Sequence, residues 1–260
     1  MKEPNIQAHL SFSILLIGDS CTDEYVYGTV DRLSPESPVP VLKETRRETK
    51  PGMAANVKVN LEILGCRVDL ITNSENIIKT RYIDERSGYH LVRVDQENEI
   101  VAWSGRMPFD IETYDAIVIS DYGKGFLDYH HIETLRQNFT GPIFLDTKKT
   151  DLAAFHNIFV KINEVEYSRR ISINDQLIIT LGSQGAMYKT GRDPKYETRF
   201  PAPKVEVFDV CGAGDTFLAA VAYKYVIDLD IKSAIEFAIR ASACTVMHNG
   251  NYAPTLGEIS

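Results

Sequence analysis

Residues 209–217 read Asp209-Val-Cys211-Gly212-Ala213-Gly214-Asp215-Thr-Phe and run on into an apolar, helix-forming stretch. Gly212, Ala213 and Gly214 carry little or no side chain. A ligand oxygen can therefore approach their backbone N–H groups, and the positive end of the helix dipole favours negative charge there. Asp215 stands at the helix entrance, where a bound anion would repel it, so its presence calls for a reason. It can take a proton from a substrate hydroxyl. It can equally be the helix cap, a place for which Asp is favoured, and the loop by itself supports both.

The elements that must position this loop follow from hydrophobic spacing. Residues 13–17 (SILLI) form an apolar run ending in Gly18-Asp19, the pattern of a buried parallel strand opening on a site. Similar runs recur at 116–120, 143–146, 158–161 and 177–180, the first two pairs separated by helix-length segments. That alternation predicts a parallel sheet with crossover helices. Residues 39–49 and 89–95 instead alternate apolar and polar side chains, so each should have one wet face in a smaller sheet. Residues 51–65 predict a helix entered through Pro51 and Gly52 and left at Gly65, and two more helices are expected near 215–227 and 233–248. Ligands bind beyond the carboxyl ends of such strands. Asp19, Asp121 with Lys124, Asp146 with Lys148, Asn163 with Glu166, and Gly182 all fall there, and together they predict a lined cleft.

Composition narrows the partners. With 260 residues, 44% of them apolar and 25% charged, the chain can bury a full core and is expected to be one domain, residues 1–260. A net charge of -8 leaves no basic field for nucleic acid or an anionic membrane, so small molecules are the expected partners. The four cysteines, Cys21, Cys66, Cys211 and Cys244, include no CxxC pair and have no His at ligand spacing, which reads as reduced thiols. With no apolar run of membrane-span or signal-peptide length, a cytoplasmic location is expected.

At this point the chain resembles the PfkB, or ribokinase-like, family of sugar kinases along nearly its whole length. The residues that carry the likeness are the Gly212-Ala-Gly-Asp215 loop, Pro51-Gly-Met-Ala-Ala-Asn56, Asn163-Glu-Val-Glu166 and Thr180-Leu-Gly-Ser-Gln-Gly185. Within the family it most resembles the kinase domain acting on D-glycero-D-manno-heptose 7-phosphate. That likeness rests on Gly18-Asp19 with Asp23 and Tyr25, residues 32–41 (RLSPESPVPV), Lys79-Thr-Arg81, residues 120–125 (SDYGKG) and Asp146-Thr-Lys148.

The resemblance implies an α/β, ribokinase-like fold: a central, mostly parallel sheet flanked by helices, with a small β lid from segments near 24–50 and 79–106. It implies ATP, Mg2+ and, at Asp209 and the Cys211 carbonyl, a place for K+. Asp215 resembles the general base, and Gly212, Ala213 and Gly214 the anion hole. Asn163 and Glu166 resemble the pair that organises magnesium through water. Thr180, Gly182, Ser183 and Gly185 resemble the turn against the nucleotide. Asp19, Asp23, Gly52 and Asn56 would face the sugar, while Lys79 and Arg81 would neutralise the substrate's own phosphate. A homodimer through the lid is the implied assembly.

Three readings stay open: a heptose 7-phosphate kinase acting at the anomeric hydroxyl, a kinase for another sugar, sugar phosphate or nucleoside, and a binding protein without turnover. Met53 replaces the second glycine of the family's usual Gly-Gly pair, and the chain is trimmed between Leu70 and Lys79 and after Glu166. Some relatives with this kinase domain carry a nucleotidyltransferase domain fused downstream, and with the chain ending at Ser260 that activity is expected elsewhere. Trp103 is expected to anchor a strand, the His130-His131 pair to lie on a surface or helix, and Cys211 to be a small buried thiol rather than a redox centre.

Overall fold

The computed structural model describes residues 11–107, 110–191 and 193–259. Strand β1 (Ser13–Gly18) leads into the long pair β2 (Ser20–Leu33) and β3 (Pro40–Met53), then helix α1 (Ala54–Ile63), β4 (Arg67–Thr72), β5 (Ile77–Asp84) and β6 (His90–Glu97). The second half runs β7 (Ala116–Asp121), α2 (Tyr129–Asn138), β8 (Ile143–Thr147), β9 (Phe159–Asn163), α3 (Glu164–Arg169), β10 (Gln176–Thr180), β11 (Ala186–Thr190) and β12 (Glu197–Phe200). Helices α4 (Ala213–Asp228), α5 (Ile231–Val246) and α6 (Leu256–Ile259) close the chain's described part.

The large sheet has the order β12-β11-β10-β9-β8-β7-β1-β4. From β4 to β10 every pair is parallel, and β11 and β12 add an antiparallel edge. Successive side chains of a strand point to opposite faces, and both faces here are covered. Ile14 and Leu16 join one buried layer with Val57, Leu61 and Leu218, whereas Leu15 and Ile17 join the other with Ile132 and Leu135. This is why β1 reads as continuously apolar.

A second sheet, β3-β2-β5-β6, is built from the segments expected to make the lid. Its strand β6 is exposed at every position, where the alternation of 89–95 predicts one covered face, and it is the sheet's edge. The turn from β4 to β5 takes only four residues, 73–76. Asn73 fixes it by accepting from the Ser20 N–H at 2.7 Å and donating to the Ser20 and Glu75 carbonyls at 3.2 and 2.7 Å.

Three expectations need correction. No crossover helix joins β8 to β9; the connection holds only a 3-10 turn, Leu152–Ala154. Residues 98–106 form no strand of the lid. Trp103 therefore anchors no strand, although it is buried, donates its backbone N–H to the Phe126 carbonyl at 2.9 Å and packs its ring against His131. His131 lies on α2, where it completes a capping box with Asp128. No helix among the described residues is long and apolar enough to cross a membrane.

Candidate active site

Asp215 lies in the first turn of α4, whose N-cap residue, Gly212, adopts a φ of 76° that side chains other than glycine's rarely tolerate. No side chain caps this helix, so Asp215 is not its cap. Its two oxygens turn to side chains instead: Asn56 Nδ2 donates to Oδ2 at 2.9 Å and Tyr122 Oη donates to Oδ1 at 2.7 Å. The carboxylate is 4% exposed. Burial pushes its pKa up to about 6; the donors Asn56 and Tyr122 pull downward, the Asp146 charge pushes upward and the Lys161 charge pulls downward. A carboxylate poised there is ionised at neutral pH yet basic enough to accept a proton.

The strand ends deliver the other predicted residues. Asp19, directly after β1, accepts from the N–H of Tyr122 at 2.8 Å and of Lys124 at 3.4 Å. Its second oxygen, Oδ1, is buried with no hydrogen-bond partner among the described residues. Burial, then the Asp121 charge, raises its pKa. Asp121 itself is buried and paired with Lys149 at 2.8 Å, and Lys124 reaches Glu97 on the lid at 2.5 Å. Asp121 and Lys124 thus take different partners.

The lid side of the cleft is more committed than the resemblance implies. Arg81 donates to Asp23 Oδ1 at 2.5 Å, and Asn251 donates to Asp23 Oδ2 at 2.8 Å. Arg81 and Asp23 are both buried. Gly52 is needed beside them because a Cβ there would collide with the Asp23 carboxylate and the Cys21 thiol. Asn56 serves Asp215 rather than standing open to a sugar. Lys79 sets its Nζ 5.3 Å from the Tyr122 ring centroid, and Lys148 approaches the same ring at 5.1 Å. Met53 keeps a φ of 56°, a glycine-like backbone, while its side chain is buried with Cys21 and Ile77 against Tyr122.

On the other side of the loop, Thr180, Gly182, Ser183 and Gly185 face Gly214 and Phe217 across a largely apolar cavity of about 380 Å³. Asn163 and Glu166 form a reciprocal capping box: Asn163 Oδ1 accepts from the Glu166 N–H at 2.9 Å, and Glu166 Oε2 accepts from the Asn163 N–H at 2.8 Å. Glu166 Oε1 pairs with Lys148. Among the described residues no cluster of three or more His, Cys, Asp or Glu side chains is arranged to hold a metal.

Asp209 ties the loop to the C-terminal turn by accepting from the N–H of Cys211 at 3.0 Å and of Gly250 at 2.9 Å. Burial, together with the Asp209 hydrogen bond and charge, pushes the Cys211 thiol up to about 12, so it is no ready thiolate. Reading the sequence singled out neither Tyr122 nor Asn251 as a site residue, and it passed over Lys161, a lone charge inside the buried strand FVKIN. A lysine in an apolar run needs a partner, and that was the available signal.

Residues 149–256 match the model of the pfkB family of carbohydrate kinases. The bifunctional protein HldE of a Nitratiruptor species is 30% identical over 95% of this chain and 64% of its own length. The D-beta-D-heptose 7-phosphate kinase of Bordetella bronchiseptica is 28% identical over 95% of each chain. The chain thus spans less than two thirds of the length of such bifunctional relatives. Among solved structures, the ribokinase of Thermotoga maritima superposes with a TM-score of 0.71 at 16% identity, covering 95% of this chain and 98% of that one. The Y23D mutant of phosphofructokinase-2 from Escherichia coli gives 0.72 at 16% identity, covering 96% of each. The match to the pfkB family of carbohydrate kinases thus covers residues 149–256, the part of the chain that holds Asn163, Glu166 and the Gly212–Asp215 loop, and the curated relatives are similar over 95% of the chain.

Proposed function

We propose that this chain is an ATP-dependent sugar kinase that transfers the γ-phosphoryl group to a sugar hydroxyl, with the anomeric hydroxyl of a heptose 7-phosphate as the leading acceptor. The observation that carries this reading is the buried Asp215, with its pKa of about 6, at the mouth of an uncapped helix whose loop borders the cavity.

In this reading the cavity takes the adenine and ribose of ATP, and the phosphates run toward Gly212, Ala213 and Gly214. Asp215 receives the proton of the acceptor hydroxyl while Asn56 and Tyr122 hold its orientation. The loop N–H groups and the α4 dipole stabilise the charge on the moving phosphoryl group. Such positioning and preorganised charge supply most of the acceleration in phosphoryl transfer. Magnesium fits the site as an ion held by phosphates and water: Glu166 is at hand if it leaves Lys148, and Asp146 Oδ1 is a buried oxygen without a partner among the described residues. When bound, the ion supplies charge neutralisation of the phosphates.

The heptose phosphate is suggested by the names of the relatives and by Lys79, whose ammonium is the cation left for a substrate phosphate once Arg81 is paired with Asp23. That pairing also favours a second reading, in which the acceptor is another sugar or sugar phosphate. A K+ site at Asp209 and Cys211 would have to share Asp209 with two backbone N–H groups, and Lys50 already sets an ammonium on the carbonyls of Asn249 and Asn251 at 3.3 and 3.1 Å. The exposed Leu91, Val92 and Val94 of β6 are the proposed dimer contact. Measuring ADP release with heptose 7-phosphate, ribose, fructose 6-phosphate and a nucleoside, in sodium and in potassium buffers, tests the acceptor and the cation. Highest kcat/KM with another acceptor would overturn the heptose assignment.

A further inference from the structure

Lys161 sits on β9, with a side chain only 6% exposed, and donates to Asp146 Oδ2 on the neighbouring β8 at 2.6 Å. Its ammonium is also pressed against the signature loop. A Cβ built on Gly214 would lie 3.1 Å from Lys161 Nζ. Asp146 is 4% exposed, and its other oxygen, Oδ1, has no hydrogen-bond partner among the described residues. Burying two charges and leaving one carboxylate oxygen unsatisfied is costly for a fold, and an apolar pair of similar size would serve packing as well. The arrangement makes sense if the ammonium is kept for something that arrives at the loop.

We propose that Lys161 is a further catalytic residue: its ammonium bonds an equatorial oxygen of the phosphoryl group held by Gly212, Ala213 and Gly214, adding a full positive charge to the hole. This rests on the kinase reading above. In that reaction the acceptor oxygen forms a bond to the γ-phosphorus, the bond from that phosphorus to the β,γ-bridging oxygen breaks, and its electron pair stays on ADP. The hydroxyl proton goes to Asp215. Lys161 changes no bond; it stabilises the three equatorial oxygens while charge redistributes. Asp146 is a positioning residue that holds the ammonium against Gly214.

Replacing Lys161 alone would strand a buried carboxylate, so the decisive variant is the double change Lys161→Met with Asp146→Asn, compared with Asp146→Asn alone. Lys161 in the hole predicts that kcat of the double variant is about 10²-fold or more below that of Asp146→Asn, with the sugar KM within a few-fold, the size of effect seen when one charge-stabilising donor is removed. A purely structural neutralisation of Asp146 predicts equal kcat in the two, and that result would overturn the proposal. A second measurement needs no turnover. ADP with aluminium fluoride, a mimic of the moving group, should bind the double variant at least tenfold more weakly than it binds Asp146→Asn, while ADP alone binds both equally. Equal binding of the fluoride complex would likewise overturn the role. If the wild type turns over no sugar, the kinase reading fails on its own, and the fluoride comparison still decides whether Lys161 serves the anion hole.

Discussion

The Tyr122 hydroxyl donates to Asp215 Oδ1 at 2.7 Å, the kind of hydrogen bond that an acceptor hydroxyl would also make to this carboxylate. The phenol therefore helps hold this carboxylate, the proposed base, and favours its ionised form. Asp215 also faces Asn56 from α1, Asp146 from β8 and Lys161 from β9, and Tyr122 is one of the groups that pull its pKa down. Tyr122→Phe removes a donor to the charged form, so the pKa must rise above about 6. The acidic limb of kcat/KM should move up by about one pH unit, with roughly a twofold loss at pH 7. A pH profile superimposable on wild type would remove Tyr122 from this role.

Asp215 should also lower stability. Its folded pKa, about 6, lies above the ordinary value of 3.8. The folded state therefore binds the proton more tightly, and the stabilisation it confers is present below pH 3.8 and lost as pH rises through 6. Carrying the ionised group at pH 8 costs on the order of 3 kcal/mol. Asp215→Asn should thus gain thermal stability relative to wild type between pH 5 and pH 8, even as activity falls. Parallel Tm curves across that range would contradict the buried-base description.

Lys79 and Arg81 should separate cleanly. Lys79→Ala is expected to raise KM for a phosphorylated sugar about tenfold or more and to leave its unphosphorylated counterpart unchanged. Arg81→Ala instead strands Asp23 in the lid, a change that typically costs about 3 to 5 kcal/mol, so Tm should drop and both sugars should suffer. Matching behaviour of the two variants toward the two sugars would refute this division.

Glu166→Gln keeps an oxygen that can accept the Asn163 N–H but loses the charge facing Lys148. Stability should change by less than about 1 kcal/mol. The magnesium concentration for half-maximal rate should rise, because hard cations keep waters that such carboxylates orient. An unchanged magnesium titration would leave Asn163 and Glu166 with their capping box as sole duty.

Much of the frame was legible because a strand covered on both faces must be written as an apolar run, which is how β1, β7, β8, β9 and β10 were read. The signature loop was legible for a similar reason, since small residues before a helix leave few alternatives. The pairings were not. Nothing in the spacing shows that Arg81 is committed to Asp23, 58 residues away, or that Asn251 closes the same carboxylate from 228 residues away. Asn56 read as a sugar ligand by resemblance, and only the packing of α1 against α4 brings its amide to Asp215. The β8-to-β9 segment had the length of a helix but folds as a short turn. Length alone could not distinguish the two.

The central claim, that this site moves a phosphoryl group from ATP to a sugar with Asp215 as base, is tested most directly by ADP release with heptose 7-phosphate, wild type against Asp215→Asn. Wild type should turn over only with both substrates present and yield the bisphosphorylated sugar. The Asn variant should keep nucleotide affinity within a few-fold and lose about 10² or more in kcat. Near-normal kcat in the variant would contradict the account.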